Sequence, residues 1–104
     1  MRLRWSATSR EDREQIYSYI RADSTAAARL VDERIVTHAR RLLQFPASGR
    51  VGRVAGTREL PIPGTSHILV YREFPGFIRV LRLIHTAQQW PEGFNEDSAP
   101  PFVA

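Results

Sequence analysis

The chain has 104 residues, 42% hydrophobic and 25% charged, which suits one compact domain with a small core and leaves little room for a second. It has no cysteine, which excludes a disulfide framework, a thiolate nucleophile and sulfur-ligated zinc. Its 15 basic side chains are all arginine and exceed the 11 acids by four, a sign that favours an acidic partner.

Arg2 to Trp5 alternates polar and apolar, a short strand pattern. Ser9, followed by Glu11 and Asp12, predicts a helix from about Ser9 to Arg21, with a capping hydroxyl and carboxylates where a helix start leaves N–H groups unpaired. Ile16, Tyr17 and Ile20 form its apolar stripe. Asp23-Ser24-Thr25 supplies the next cap candidates, and Ala27, Val31, Ile35, Ala39 and Leu42-Leu43 predict a second helix that stops at Phe45-Pro46. So short a connection predicts an antiparallel helical hairpin.

Residues 46–56 read as a loop with three glycines and two arginines; the Gly-Lys-Ser/Thr of a phosphate-binding loop is absent. Three strands are expected next, Thr57 to Ile62, His67 to Glu73 and Phe77 to His85, the last two joined by Phe74-Pro75-Gly76. Phe77 to His85 is apolar at nearly every position that is not arginine, as in a central strand buried on both faces. Pro61 places the first of the three at an edge or beside a bulge. A helical turn is expected over Thr86 to Trp90. Residues 92–104, with three acids and two prolines, read as a flexible tail after a single domain of residues 1–91. The first ninety residues carry a net +7 and the remainder −3. The predicted class is α+β: a small antiparallel sheet with an N-terminal helical hairpin on one face, in the order β-α-α-β-β-β.

Several fragments in this order resemble the RelE/ParE toxins of type II toxin–antitoxin systems. They are Trp5-Ser6 before an acidic helix, Phe45-Pro46 with Gly49-Arg50, Gly52-Arg53-Val54 and Gly56-Thr57-Arg58-Glu59-Leu60, then His67 to Arg72, and Val80 to Pro91. The Gly-Thr-Arg-Glu-Leu strand and the run Ile-His-Thr-Ala-Gln-Gln-Trp-Pro resemble the ParE-like branch more closely; a chain without lysine has no counterpart to the basic set of RelE itself. The resemblance implies a growth-inhibiting toxin that poisons DNA gyrase, is not itself an enzyme, and is neutralised by a cognate acidic antitoxin. Operator DNA would be reached only through that antitoxin. The alternatives are a ribosome-dependent mRNA endonuclease of the RelE or YoeB kind and a non-toxic remnant that binds an antitoxin.

Metal-independent RNA cleavage needs a base, an acid and cationic donors. Glu59 and His85 are the candidates for the first two, and Arg58, Arg72 and Arg82 for the third. The plainer alternative pairs Glu59 with a neighbouring arginine and sets His85 at the sheet edge. For target binding the candidates are Arg50 and Arg53 in the glycine-containing loop, with Arg58, Arg72, Tyr71 and Trp90. His38, His67 and His85 have no metal-site spacing, so neither metal nor cofactor is expected. No apolar run is long enough to span a membrane and the first residues resemble no secretory signal, so the expected location is the cytoplasm.

Overall fold

The computed structural model describes residues 1–87. In chain order its elements are β1 (Arg2–Trp5), α1 (Ala7–Arg21), α2 (Thr25–Arg41), β2 (Arg50–Val51), β3 (Arg58–Pro61), β4 (His67–Phe74) and β5 (Phe77–His85). The expected helical turn after Thr86 and the tail from 92 onward fall largely or wholly outside the described residues.

The first helix begins at Ala7, and its cap is Ser6 rather than the expected Ser9. Ser6 Oγ accepts from Ser9 N–H at 3.0 Å and donates to the Leu81 carbonyl at 3.0 Å, while Ser6 N–H bonds to the Val80 carbonyl. The cap is therefore fixed by the middle of β5, a tertiary partner that local pattern cannot reveal. Ser24 caps α2 as expected, accepting from Ala27 N–H. Regular α2 stops at Arg41; Leu42, Leu43 and Gln44 then bond three residues back, a tighter turn that brings the chain to Pro46. The two helices pack as a hairpin, joined by a bidentate pair from Arg13 to Asp32 at 3.0–3.1 Å.

The five strands lie in the order β1-β5-β4-β3-β2. β3, β4 and β5 are antiparallel as expected, but β1 runs parallel to β5, so the sheet is mixed rather than wholly antiparallel. Within the expected loop, Arg50–Val51 pairs with Glu59 and Arg58, covering only half of β3. Pro61, with no N–H to offer, falls on the half that β2 leaves unpaired.

Ile35, Ala39 and Leu42 of α2 pack on Leu69, Tyr71, Ile78, Val80 and Leu83 to form the main core. Each such fully buried aliphatic side chain contributes about 1.5–3 kcal/mol. Ile68, Val70, Leu81 and Ile84 make a second buried cluster with Val54, and by strand alternation they occupy the opposite face. β5 supplies both clusters, which is why it reads as nearly continuously apolar. Tyr71 pairs with Val80 and Val70 with Arg82, so Leu81 is the extra residue of a β-bulge.

Candidate functional site: the basic loop and the grooves beside the helices

The loop between α2 and β3 is held by side chains from the sheet beneath it. Tyr71, fully buried, donates its hydroxyl to the Pro46 carbonyl at 2.7 Å and accepts from Gly49 N–H at 3.0 Å. A Cβ at Gly49 would come within 2.8 Å of that ring and hydroxyl, so the close approach itself requires glycine. The Arg58 guanidinium donates to the Gly49 carbonyl at 2.9 Å, and Arg72 donates to the Ala55 carbonyl at 3.2 Å. Burial raises the Tyr71 phenol above its usual range, an effect that outweighs the opposing pull of the Gly49 hydrogen bond and the Arg58 charge.

Glu59 is the buried anchor of this frame, 2% exposed. Its carboxylate accepts from the Arg53 backbone N–H at 2.9 Å and from the Arg53 guanidinium twice at 3.1 Å, with Arg50 at 3.5 Å. Arg53 and Arg50 remain 46% and 58% exposed, so each presents part of its guanidinium to solvent while Glu59 fixes it from below. Five of the six target-binding candidates, Arg50, Arg53, Arg58, Tyr71 and Arg72, thus converge on one loop. The sixth, Trp90, lies outside the described residues.

The acid–base candidates are not brought together. Glu59 pairs with Val70 and so belongs to the face of the second cluster, whereas His85 pairs with His67, two residues from Leu69, and belongs to the helix-covered face. His85 Nδ1 accepts from Ala87 N–H at 3.0 Å, and its ring meets His67 edge to face at 5.5 Å. Burial, and secondarily the His85 charge, lower the His67 pKa from its ordinary value. The Arg82 guanidinium makes two bonds to Asp12, at 2.9 and 3.2 Å, and Asp12 also accepts from Leu83 N–H at 2.9 Å. Asp12, expected to face the helix start as a charge near its dipole, instead ties α1 to β5 beyond the stretch that β1 pairs.

Sequence reasoning missed two apolar grooves on the helix side. One, of about 610 Å³, runs between the end of α2 and β3 and is lined by His38, Arg41, Phe45, Leu60, Pro61 and Pro63. The other, of about 590 Å³, lies between the helical hairpin and the β3–β4 turn; Ile16, Tyr19, Ile20 and Val31 line it, with His67 and His85 at its end. Phe45 is 57% and Tyr19 82% exposed. The signal was present in Tyr19, an aromatic that falls off the apolar stripe of its helix. Among the described residues no group of three or more His, Cys, Asp or Glu could hold a metal ion, and no helix is long and apolar enough to cross a membrane.

A family model described as the ParE toxin of the type II toxin-antitoxin system, parDE, matches residues 3–90. The chain is 37% identical over 91 residues to Y4kP of Sinorhizobium fredii (strain NBRC 101917 / NGR234), whose name designates it a toxin; the match covers 88% of this chain and 94% of that one. Its fold is similar to that of a chain in the chromosomal ParDE TA system from P. aeruginosa, with a TM-score of 0.73, 24% identity, and coverage of 82% of this chain and 95% of the other.

Proposed function

The chain belongs to the ParE toxin family of type II toxin–antitoxin systems, and from that premise we propose that it arrests growth in the cytoplasm by inhibiting DNA gyrase, without a reaction of its own. The observation that carries the gyrase reading over the ribonuclease one is the separation of Glu59 and His85 on opposite faces of the sheet, with Glu59 bound three times by Arg53. A base must reach the proton it removes, and a carboxylate buried under its own arginine does not reach a 2′-hydroxyl. The target contacts are then the exposed parts of Arg50 and Arg53 on their fixed loop, supported by Arg58, Arg72 and Tyr71. Truncating one such contact removes part of the binding energy, not a chemical step.

The partner in this reading is an acidic antitoxin whose amphipathic segment fills the apolar grooves, with Arg41 and His38 at the rim of one of them. Apolar burial supplies most of the affinity, while the +7 charge of the first ninety residues speeds encounter. Association with the product of the adjacent gene should slow with added salt while dissociation changes little.

The deciding experiment adds purified chain to gyrase supercoiling assays and, separately, to translating ribosomes. Inhibited supercoiling with trapped double-strand breaks and intact mRNA is expected; codon-specific mRNA cleavage with normal supercoiling would replace this reading by the nuclease one. His85→Ala should leave growth arrest nearly intact, whereas Arg53→Ala should weaken it in part.

A further inference from the structure

The register of the sheet assembles a second basic surface that no single stretch of sequence displays. Arg4 of β1, Arg79 of β5 and Arg72 of β4 are successive cross-strand partners, so three arginines stand in one row on the face opposite the helices. The next row toward the hairpin turn holds Arg2, Phe77 and Phe74. The two phenylalanine rings are stacked at 4.7 Å and 11°, and the Arg4 guanidinium lies over Phe77 at 4.9 Å from its centre. Arg2 and Arg4 are exposed and Arg79 half-buried, and these three make no ion pair among the described residues. Glu73, the nearest acid in sequence, alternates to the other face opposite Ile78.

Arg4 and Arg79, directly opposed on adjacent strands, repel one another, a cost that an anion lying across them would relieve. Charge alone would admit an acidic peptide. The aromatic column distinguishes the ligand: Phe74 stacked on Phe77, with the Arg4 guanidinium over the Phe77 ring, can be extended by another flat π-system, which an acidic peptide does not supply and an unpaired base does. We propose that this face, at the β1 edge and the β4–β5 turn, binds single-stranded nucleic acid directly, with Arg2, Arg4 and Arg79 on phosphates and a base stacking on the Phe74 end of the column that Phe77 supports. The surface meets the Glu59-anchored loop at Arg72, which donates to the Ala55 carbonyl, but Arg2, Arg4, Arg79, Phe74 and Phe77 lie outside that loop, and the inference does not depend on gyrase being the target.

Fluorescence anisotropy of the full chain with labelled oligo-dT and oligo-U of about 12 nucleotides tests it, titrated from about 50 mM salt upward. Arg4→Ala/Arg79→Ala should weaken binding about tenfold or more and flatten the salt dependence by about 0.7 for each phosphate no longer neutralised. The charge-matched control Arg21→Ala/Arg29→Ala, on exposed helix positions, should change affinity by about threefold or less. Phe77→Leu, which keeps an apolar side chain and all charges, should weaken binding about fivefold or more, with its fold checked by circular dichroism. DNA and RNA strands should bind alike, because phosphates and base faces are common to both. Equal losses from the two double variants, an unaffected Phe77→Leu, tighter binding to duplex than to single strands, a requirement for RNA, or no binding at low salt would each overturn the proposal. So would preferential binding of an acidic peptide of matched charge.

Discussion

Two sets of arginines share the sheet and are treated in opposite ways. Around the loop, Arg53 closes on buried Glu59, Arg58 on the Gly49 carbonyl and Arg72 on the Ala55 carbonyl, so charge is first used to hold backbone and only the remainder faces outward. Along the β1 edge, Arg2, Arg4 and Arg79 hold no backbone and pair with no acid among the described residues; their one described aromatic partner is Phe77. Substitution in the first set should register in stability before function, and in the second set in binding with stability little changed. A residue count cannot make this distinction, since both sets are arginine.

The sharpest break of that contrast comes from an acid that serves the fold alone. Asp12 and Arg82 are 10% and 15% exposed at the side chain, and Asp12 also satisfies Leu83 N–H. Asp12→Ala removes the carboxylate that takes two bonds from a largely buried guanidinium and one from the Leu83 N–H, and should cost about 3–5 kcal/mol in urea unfolding. Growth arrest should fall in step with the folded fraction. An abolished arrest at unchanged stability would mean that Asp12 touches the target.

Glu59→Gln tests the loop in the same way with a smaller expected effect. The carboxylate is buried but Arg53 is half exposed, so solvent screens part of the loss, and about 2–3 kcal/mol is expected rather than the full cost of a buried pair. Protection of the Arg53 amide against hydrogen exchange should drop with it. If Glu59→Gln instead abolished growth arrest with unfolding unchanged, the acid–base reading of Glu59 would be restored. Tyr71→Phe comes next: it keeps the ring and removes one hydroxyl, leaving Gly49 N–H and the Pro46 carbonyl without their partner, for about 1–3 kcal/mol by thermal or urea unfolding.

Much of this organisation was legible in the sequence, and the omissions share a cause. Helix period, the Ser24 cap, the proline stop at Pro46 and the three antiparallel strands all depend on residues within a few positions of one another. The bond from the Ser6 hydroxyl to Leu81, the Asp12–Arg82 pair and the parallel β1–β5 pairing join residues 70 to 75 positions apart, for which no local signal exists. Tyr71 and Arg72 show the same limit. Both are target-binding candidates in the sequence, but alternation sends Tyr71 into the core and Arg72 to the opposite face, in line with Arg79 and Arg4. The aromatic partners of that row are instead Phe74 and Phe77, which the Pro75-Gly76 turn brings together.

The smallest expected effect lies at the far end of the helix-covered face, where His67 meets His85. Its ring is half-buried, its Nδ1 has no hydrogen-bond partner among the described residues, and the groups around the groove are Gln15, Tyr19 and the edge-on His85 ring, with no carboxylate among that groove's described lining. Burial and the neighbouring imidazole both disfavour the protonated form, so the folded-state pKa lies below the unfolded value of about 6.5. The unfolded chain therefore takes up this proton first as pH falls, and stability should be flat with respect to this group above about pH 7 and decline as pH drops through and below 6.5, until the folded form also protonates. His67→Gln should remove that part of the decline, so the difference in melting temperature between variant and parent should shift in the variant's favour from pH 7.5 to pH 5.5. His85→Gln should do so more weakly, since it removes only the secondary cause. A parent chain that gained stability over the same interval relative to His67→Gln would show His67 stabilised as the cation, and would require an acidic partner at the end of the groove.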